Sequence, residues 1–455
     1  MLPGGDMLYA ELLLFQVILT VTPILPHGQH NSFWLASFVI LASLYLRILQ
    51  SSAGSPSADW GLALAITPQL GKAFDFFVLH PTETRQLREH KSHQDQARSN
   101  GVASWAKKFL LSMEMIHTPR GVGWNWEIPY VCYVGTESKR SFLLSRTWRI
   151  VWYYVLLDAL APLVPTRASG PLAPLPQMSD GSQDPAYSYD QLRRSAATWA
   201  LTTLLPAWAY AVSAYVHLWL VHTGPAALAV LLGLCAPADC PYVMGPVGAM
   251  ASLRGLWGRT WHQAARRQMT AIADAIGRRL LGLRPGGRPS AYLKLALGFF
   301  LGGATHAVAG YMATKASKAS LAVAAADDAS GPVRNRWDIL PLADPTGAMR
   351  FFGLQLVGVV LEDAVFALLL RFGVLREDWR RNHMANGRAG YGKDMQWWWS
   401  RRRGESSVRI EKVLGYAWVV FWLSLTLPPY VEGIRQTGVM DSKLAPISIW
   451  RSRSE

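Results

Sequence analysis

A histidine inside an apolar stretch is the first residue whose type and setting could do chemistry. His306 stands in GFFLGGATHAVAGY, within an apolar block of about Ala291–Ala313. Apart from Lys294 near the start and the tyrosines, it is the only ionisable side chain of that block. At 1.5 Å per residue, His306 lies about 20 Å along a helix, inside a bilayer and beyond its midpoint. An ionisable group at that depth is costly, so it marks either function or a structural bond to a neighbouring helix. Desolvation disfavours an imidazolium in general, and a neutral imidazole can act as general base toward an alcohol. Gly298, Gly302, His306 and Gly310 recur every four residues and share one helix face. Together with Gly303, these glycines either let another helix approach closely or leave a tunnel for a substrate.

A second cluster is SLRGLWGRTWHQAARR, Ser252–Arg267. Arg254, Trp257 and Trp261 fall at helical spacing, and Arg259, His262, Gln263, Arg266 and Arg267 add hydrogen-bond donors. One reading is a site for a nucleotide-bearing thioester such as coenzyme A, whose phosphates suit clustered guanidinium groups. The other is a basic loop that sets membrane orientation, with tryptophans at the interface; composition alone favours it. A third cluster joins Gln355 and Glu362, seven residues apart on one face, with Asp363 beside them. Carboxylates inside a span need partners. One of them orients His306, or they pair with Arg371 or Lys72; the sequence leaves this open.

The elements that must position these residues are transmembrane helices. Of 455 residues, 51% are hydrophobic and only 16% charged, with the apolar residues bunched into long blocks. That excludes intrinsic disorder. Blocks of about 17–25 apolar residues are long enough to cross a bilayer. They run at about Leu8–Leu25, Phe33–Leu49, Gly61–Leu79, Trp148–Leu163, Thr198–Val221, Ala291–Ala313, Met349–Phe372 and Gly415–Val431. The fold class is therefore all-α, a polytopic helical bundle of about eight spans. Asp6, Glu11 and the lack of a basic n-region argue against a cleaved signal peptide in the first block. Pro165–Pro185 reads as an irregular loop. Pro225–Ala236 is too short to span alone, so it is re-entrant, or Thr198–Ala236 folds as two short helices.

Charge sets the orientation. The net charge of +15 lies in loops beside apolar blocks, which argues for topology and against nucleic-acid binding. Arg254–Arg288 holds eight Arg against one acid, and Arg371–Lys412 is also basic, so both face the cytoplasm. The balanced segment Thr314–Ala348 faces the lumen. The expected organisation is N-terminal spans over 1–79, a basic cytoplasmic segment over 80–147, a membrane core over 148–432 and a tail over 433–455. Cys132, Cys235 and Cys240 form no disulfide framework and imply no metal site. Phosphate-loop, dinucleotide-binding, G-x-S-x-G and H-E-x-x-H patterns are absent. Gln396–Arg403, three tryptophans followed by basic residues, reads as an interfacial anchor.

Three strings occur in order with spans between them: RGVGWNWEIPY (Arg120–Tyr130), SLRGLWGRTWHQ (Ser252–Gln263) and FFLGGATHAVAGY (Phe299–Tyr311). In these strings the chain resembles the wax synthase-like branch of the membrane-bound O-acyltransferases. More narrowly, it is similar to fungal members that acetylate terpenoid and meroterpenoid alcohols in secondary metabolism. The resemblance covers about Arg120 to Pro429. It implies an acyl-CoA donor, with acetyl-CoA expected, as co-substrate and no permanent cofactor. It further implies a hydrophobic alcohol as acceptor and a multi-pass location in the endoplasmic reticulum.

The membrane histidine of the family matches His306, as general base. A second polar position is Asn in many relatives and His262 here. Arg254, Arg259, Trp261, Gln263, Arg266 and Arg267 are then expected to receive the acyl-CoA, with His262 or Gln263 donating to the oxyanion. Gly302, Gly303, Trp257, Gln355 and Glu362 are expected to line the tunnel. The final block carries no evident chemistry. A long-chain wax-ester or sterol acyltransferase is the alternative within the class, and a transporter for a hydrophobic metabolite is the alternative outside it. His90 and Asp95 share an H-x4-D spacing with another acyltransferase class, but their polar surroundings argue for coincidence.

Overall fold

The computed structural model describes residues 5–25, 31–81, 102–124, 126–129, 131, 137–172, 194–327, 345–373 and 407–442. His90, Asp95, Asn125, Tyr130, Cys132 and Gln396–Arg403 lie outside the described residues.

Apolar runs become helices because backbone polar groups in lipid must be satisfied within the segment. The helices are α1 (Gly5–Val21), α2 (Asn31–Gln50) and α3 (Pro56–Ala73, continued by a π-helical turn over Phe74–Leu79). They continue with α4 (Val102–His117), α5 (Lys139–Leu160) and α6 (Leu205–Leu231, preceded by a π-helical turn over Ala200–Leu204). The last four are α7 (Arg266–Ala275), α8 (Arg288–Asp327), α9 (Pro345–Arg371) and α10 (Ser407–Thr437). Among the described residues, seven helices are long and apolar enough to cross a membrane: those containing Met7–Ile24, Asn31–Gln50, Pro56–Leu79, Arg194–Leu231, Arg288–Ala319, Thr346–Arg371 and Lys412–Thr437.

These seven correspond to all but one of the expected blocks. The remaining block, about Trp148–Leu163, falls in α5, which carries Lys139, Arg140, Arg146, Arg149 and Asp158. It turns Trp148 and Trp152 outward while burying Arg146 and Asp158. Arg146 and Asp158 thus face the protein, an arrangement that average hydropathy does not register.

Other boundaries moved for local reasons. Arg194–Leu231 is one continuous helical span, neither re-entrant nor two short helices, with Pro225 inside it. Helix α8 runs on to Asp327, so much of the expected lumenal segment from Thr314 is helical. Helix α10 passes the expected end of the core at 432 and stops at Thr437, where Gly438 adopts the left-handed conformation, φ +79°. A Cβ there would sit 2.6 Å from Cζ of Arg167, whose side chain lies across the glycine and pairs with Asp441. Residues 433–442 therefore belong to the core.

Helix α8 packs against α3, α7, α9 and α10. A cluster that includes Phe15, Trp34, Phe76, Phe77 and Trp126 holds the N-terminal helices together. A second, around Phe351, Tyr430 and Ile434, joins α6, α9 and α10.

Candidate active site

His306 sits midway along α8 where α3, α9 and α10 converge. Its Nδ1 lies 3.0 Å from the hydroxyl of Tyr430 on α10, and Tyr430 shares a further hydrogen bond with Tyr210 of α6. The imidazole is flanked by Phe352 of α9, centroid separation 5.1 Å, and Trp60 of α3, 5.9 Å. It is half-buried and opens on a narrow cleft lined by Trp60, Ala307, Gly310, Gly347, Tyr430 and Gly433 among others. The cleft holds about 310 Å³ of empty space, counting its open mouth. Its lining extends to the start of α9 and the end of α10.

The loop motif enters the bundle from the other side. Ser252 caps a short helical turn, its hydroxyl accepting from Gly255 N at 2.9 Å, and a π-helical turn follows over Leu256–Thr260. Arg254 stands level with Asp363, whereas Trp257 packs on Phe299, Phe351 and Phe352. From Asp363 to Phe352 is about 16 Å along the axis of α9, so the motif descends toward His306. Rings continue outward from there: Trp257 meets Trp261 at 5.7 Å and Trp261 meets Tyr215 at 6.3 Å.

Most expected acyl-CoA residues have partners within the chain. Arg254 pairs bidentately with Asp363. Burial opposes its charge, yet Asp363 outweighs burial and holds the guanidinium above its ordinary pKa. Arg266 donates to Gly258 O at 2.6 Å and to Gln263 Oε1 at 2.7 Å. Arg267 pairs with Asp75 of the π-helical turn after α3, 2.7 Å. Arg259 is half-buried, and its carbonyl packs against Gly245, where a Cβ would lie 2.0 Å away.

Gln263 is not a free oxyanion donor. Its amide nitrogen donates to Trp257 O at 3.1 Å and Trp261 O at 2.6 Å, which staples the motif. In this structure Arg254, Arg266, Arg267 and Gln263 are thus held by partners within the chain, and these bonds fix the shape of the loop. Unpaired cations would be costly so close to lipid.

Glu362 does not orient His306. It accepts from Leu253 N at 2.6 Å, Arg254 N at 3.3 Å and Trp418 Nε1 at 3.1 Å, capping the turn that begins the motif. Asp363 pairs with Arg254, not with Arg371 or Lys72. Gln355 accepts from Trp257 Nε1 at 3.3 Å and donates to Thr426 at 3.0 Å. Gly302 and Gly303 stand outside the lining of the cleft at His306 and pack against α9. A Cβ would lie 3.2 Å from the Phe352 ring at the former and 2.9 Å from Met349 Sδ at the latter, so both admit α9. The glycine stripe therefore divides: Gly302 packs a helix, while Gly310 faces the cleft.

His262 differs from its basic neighbours. Its Nδ1 is buried and lacks a hydrogen-bond partner. Burial, reinforced by His222 and His306, lowers its pKa to about 3, so the ring is neutral near pH 7. An unpartnered polar atom in a protein interior calls for an explanation such as a ligand.

Tyr430 was not singled out in the sequence. It ends the run LTLPPY in the block judged to lack chemistry. Its signal was a hydroxyl at the end of an apolar span, which reads equally well as an interfacial anchor. Among the described residues there is no group of three His, Cys, Asp or Glu that could hold a metal.

The seven apolar helices define an integral multi-pass membrane protein, with a half-buried histidine open to a cleft within its bundle. Residues 240–325 match the Membrane bound O-acyl transferase family. The acetyltransferase ple2 of Rhodocybe pseudopiperita is 23% identical over 399 residues, 87% of this chain and 83% of its own. The acetyltransferase TRI7 of Fusarium sporotrichioides is 24% identical over 403 residues, 86% of this chain and 77% of its own. The acetyltransferase eriL of Hericium erinaceus is 21% identical over 421 residues, 90% of this chain and 87% of its own. No solved structure matches. Over residues 240–325 the chain is similar to the membrane-bound O-acyltransferases, and over most of its length it is similar to fungal acetyltransferases, which together support an O-acyltransferase enzyme.

Proposed function

We propose that the protein transfers an acetyl group from acetyl-CoA to a hydroxyl of a hydrophobic alcohol, of terpenoid or meroterpenoid type, in secondary metabolism at the endoplasmic reticulum. The observation that carries this reading is the setting of His306: half-buried, held at Nδ1 by Tyr430, and open to a cleft. If Nδ1–H donates to Tyr430, Nε2 keeps its lone pair for the acceptor. The thioester approaches along the descending loop from the basic, cytoplasmic end. The alcohol approaches through the cleft from the other side.

His306 then takes the hydroxyl proton as the alcohol oxygen bonds to the thioester carbonyl carbon. The unpartnered Nδ1 of His262 is available, as N–H, to the developing oxyanion. Collapse of the tetrahedral intermediate breaks the C–S bond, and the thiolate recovers the proton from His306. The products are an ester and free CoA, with no covalent acyl-enzyme. The names of the relatives, all acetyltransferases, favour acetyl over a long-chain acyl group.

The test is esterification by purified protein in detergent, using labelled acetyl-CoA. Wild type should form labelled ester with stoichiometric CoA release, and His306→Ala should form almost none. Full turnover by that variant would remove His306 from the mechanism. Mass spectrometry of extracts from a deletion strain identifies the acceptor as the alcohol that accumulates.

A further inference from the structure

The cleft at His306 has a neighbour. A second cavity of about 660 Å³, counting its open mouth, is lined by Ser55, Ser57, Arg167, Ser317, Asp441 and Ser442 among others. Helices α3 and α8 wall both cavities, and the chain passes from one to the other just after α10 ends. On α3, Trp60 lines the inner cleft and Ser57, one turn earlier, lines the outer cavity. On α8, Gly310 and Ser317 are two turns apart on one face. At the end of α10, Thr437 lines the inner cleft and Gly438, next in the chain, lines the outer. The outer cavity therefore lies above the inner one, and Ser317 is about 16 Å along α8 from His306.

The two differ in chemistry. The inner cleft is narrow and apolar, and glycines form part of its wall. A Cβ at Gly347 or Gly433 would meet nothing within 4 Å, and one at Gly310 would meet only the Trp60 ring at 3.8 Å. A glycine inside a helix costs about 1 kcal/mol relative to alanine, and here no helix packing offsets that cost. The outer cavity is polar. Arg167 donates to Ser317 Oγ at 2.6 Å and pairs with Asp441, which fixes its floor. Ser55 and Ser57 hydroxyls lie 3.3 Å apart at its rim. A hydroxyl carries one donor and two acceptor positions, so these serines keep capacity beyond their internal bonds.

We infer that the two cavities are one acceptor path with two subsites. It fits an elongated, polycyclic alcohol: the reacting hydroxyl at His306, the ring skeleton against the three glycines, and a second oxygen function among the outer serines. This rests on the proposed acetyltransfer. Gly310, Gly347 and Gly433 set the girth of the skeleton, and Ser57, Ser317 and Ser442 select for the far oxygen.

The experiment compares acetylation of three probes from acetyl-CoA: a saturated tetracyclic steroid with hydroxyls at both ends, its one-hydroxyl analogue, and a straight-chain primary alcohol. In wild type, kcat/KM should fall in that order. Gly433→Leu should lower the ratio of steroid to straight-chain turnover at least about tenfold, the scale of 1.4 kcal/mol. Ser57→Ala/Ser442→Ala should remove the preference for the diol over the mono-ol, about tenfold for one hydrogen bond. If wild type acetylates the straight-chain alcohol but not the steroids, or if each variant lowers all three probes equally, the inference fails while acetyltransfer stands. If no probe is acetylated, the acetyltransfer reading falls and the inference with it.

Discussion

The two sides of His306 treat polar groups in opposite ways. On the basic-loop side, Arg254, Arg266, Arg267, Gln263 and Glu362 all find partners inside the chain. On the cleft side, Gly347 and Gly433 stand beside empty space and His306 keeps one face open. The densest array of charge is thus paired within the chain, and the cleft lies where side chains are absent. Near lipid, each charge must be paired or shed, so an arginine cluster reports the needs of a loop before those of a ligand. What remains unpaired is more informative, and on the loop side that includes His262 Nδ1.

The comparison can be broken most directly at His306. His306→Ala should lower turnover about 10²–10⁴-fold, the range for losing a general base, while the protein still inserts and elutes as a folded species. A fall of less than tenfold would mean that the open face is not where chemistry happens. Glu362→Ala should instead lower stability, by about 3 kcal/mol, because it strands two backbone N–H groups and the indole N–H of Trp418. Thermal inactivation in detergent measures it, and an unchanged midpoint would deny the scaffold role.

The glycines sharpen the contrast. Gly303→Ala should cost about 1–3 kcal/mol by overpacking against Met349. Gly347→Ala should cost nothing measurable in stability, because its Cβ meets no atom within 4 Å. Equal effects at the two positions would erase the distinction between packing glycines and cleft glycines. Tyr430→Phe should lower kcat about tenfold with little change in KM, since one hydrogen bond to the base is lost.

The smallest effect concerns acid. With its pKa lowered to about 3, His262 binds fewer protons folded than unfolded between that value and its ordinary value of 6.5. Stability should therefore fall as pH drops through this window. His262→Asn should flatten the slope of melting temperature against pH there. An unchanged slope would show that the ring is not held neutral.

Much of this was legible in the linear chain. His306 stood out because nothing else ionisable shares the middle of its span, and seven of the eight apolar blocks correspond to helices long enough to cross a membrane. The partner of His306 was not legible. A carboxylate at the spacing of Glu362 looked as suitable as any, yet Tyr430, 124 residues away, makes the bond. Gly302 and Gly310 share one sequence pattern and serve opposite purposes, because α9 covers the first and leaves the second open.

The sequence by itself determined the helices, the depth of the histidine and the basic end of the bundle. Those follow from hydrophobic runs and loop charge, which act locally and need no knowledge of neighbours. Only the tertiary structure decided which polar groups are consumed, which glycines face space and where the cleft opens. Those depend on how helices distant in sequence pack side by side, and a lateral neighbour leaves no spacing signal in the chain.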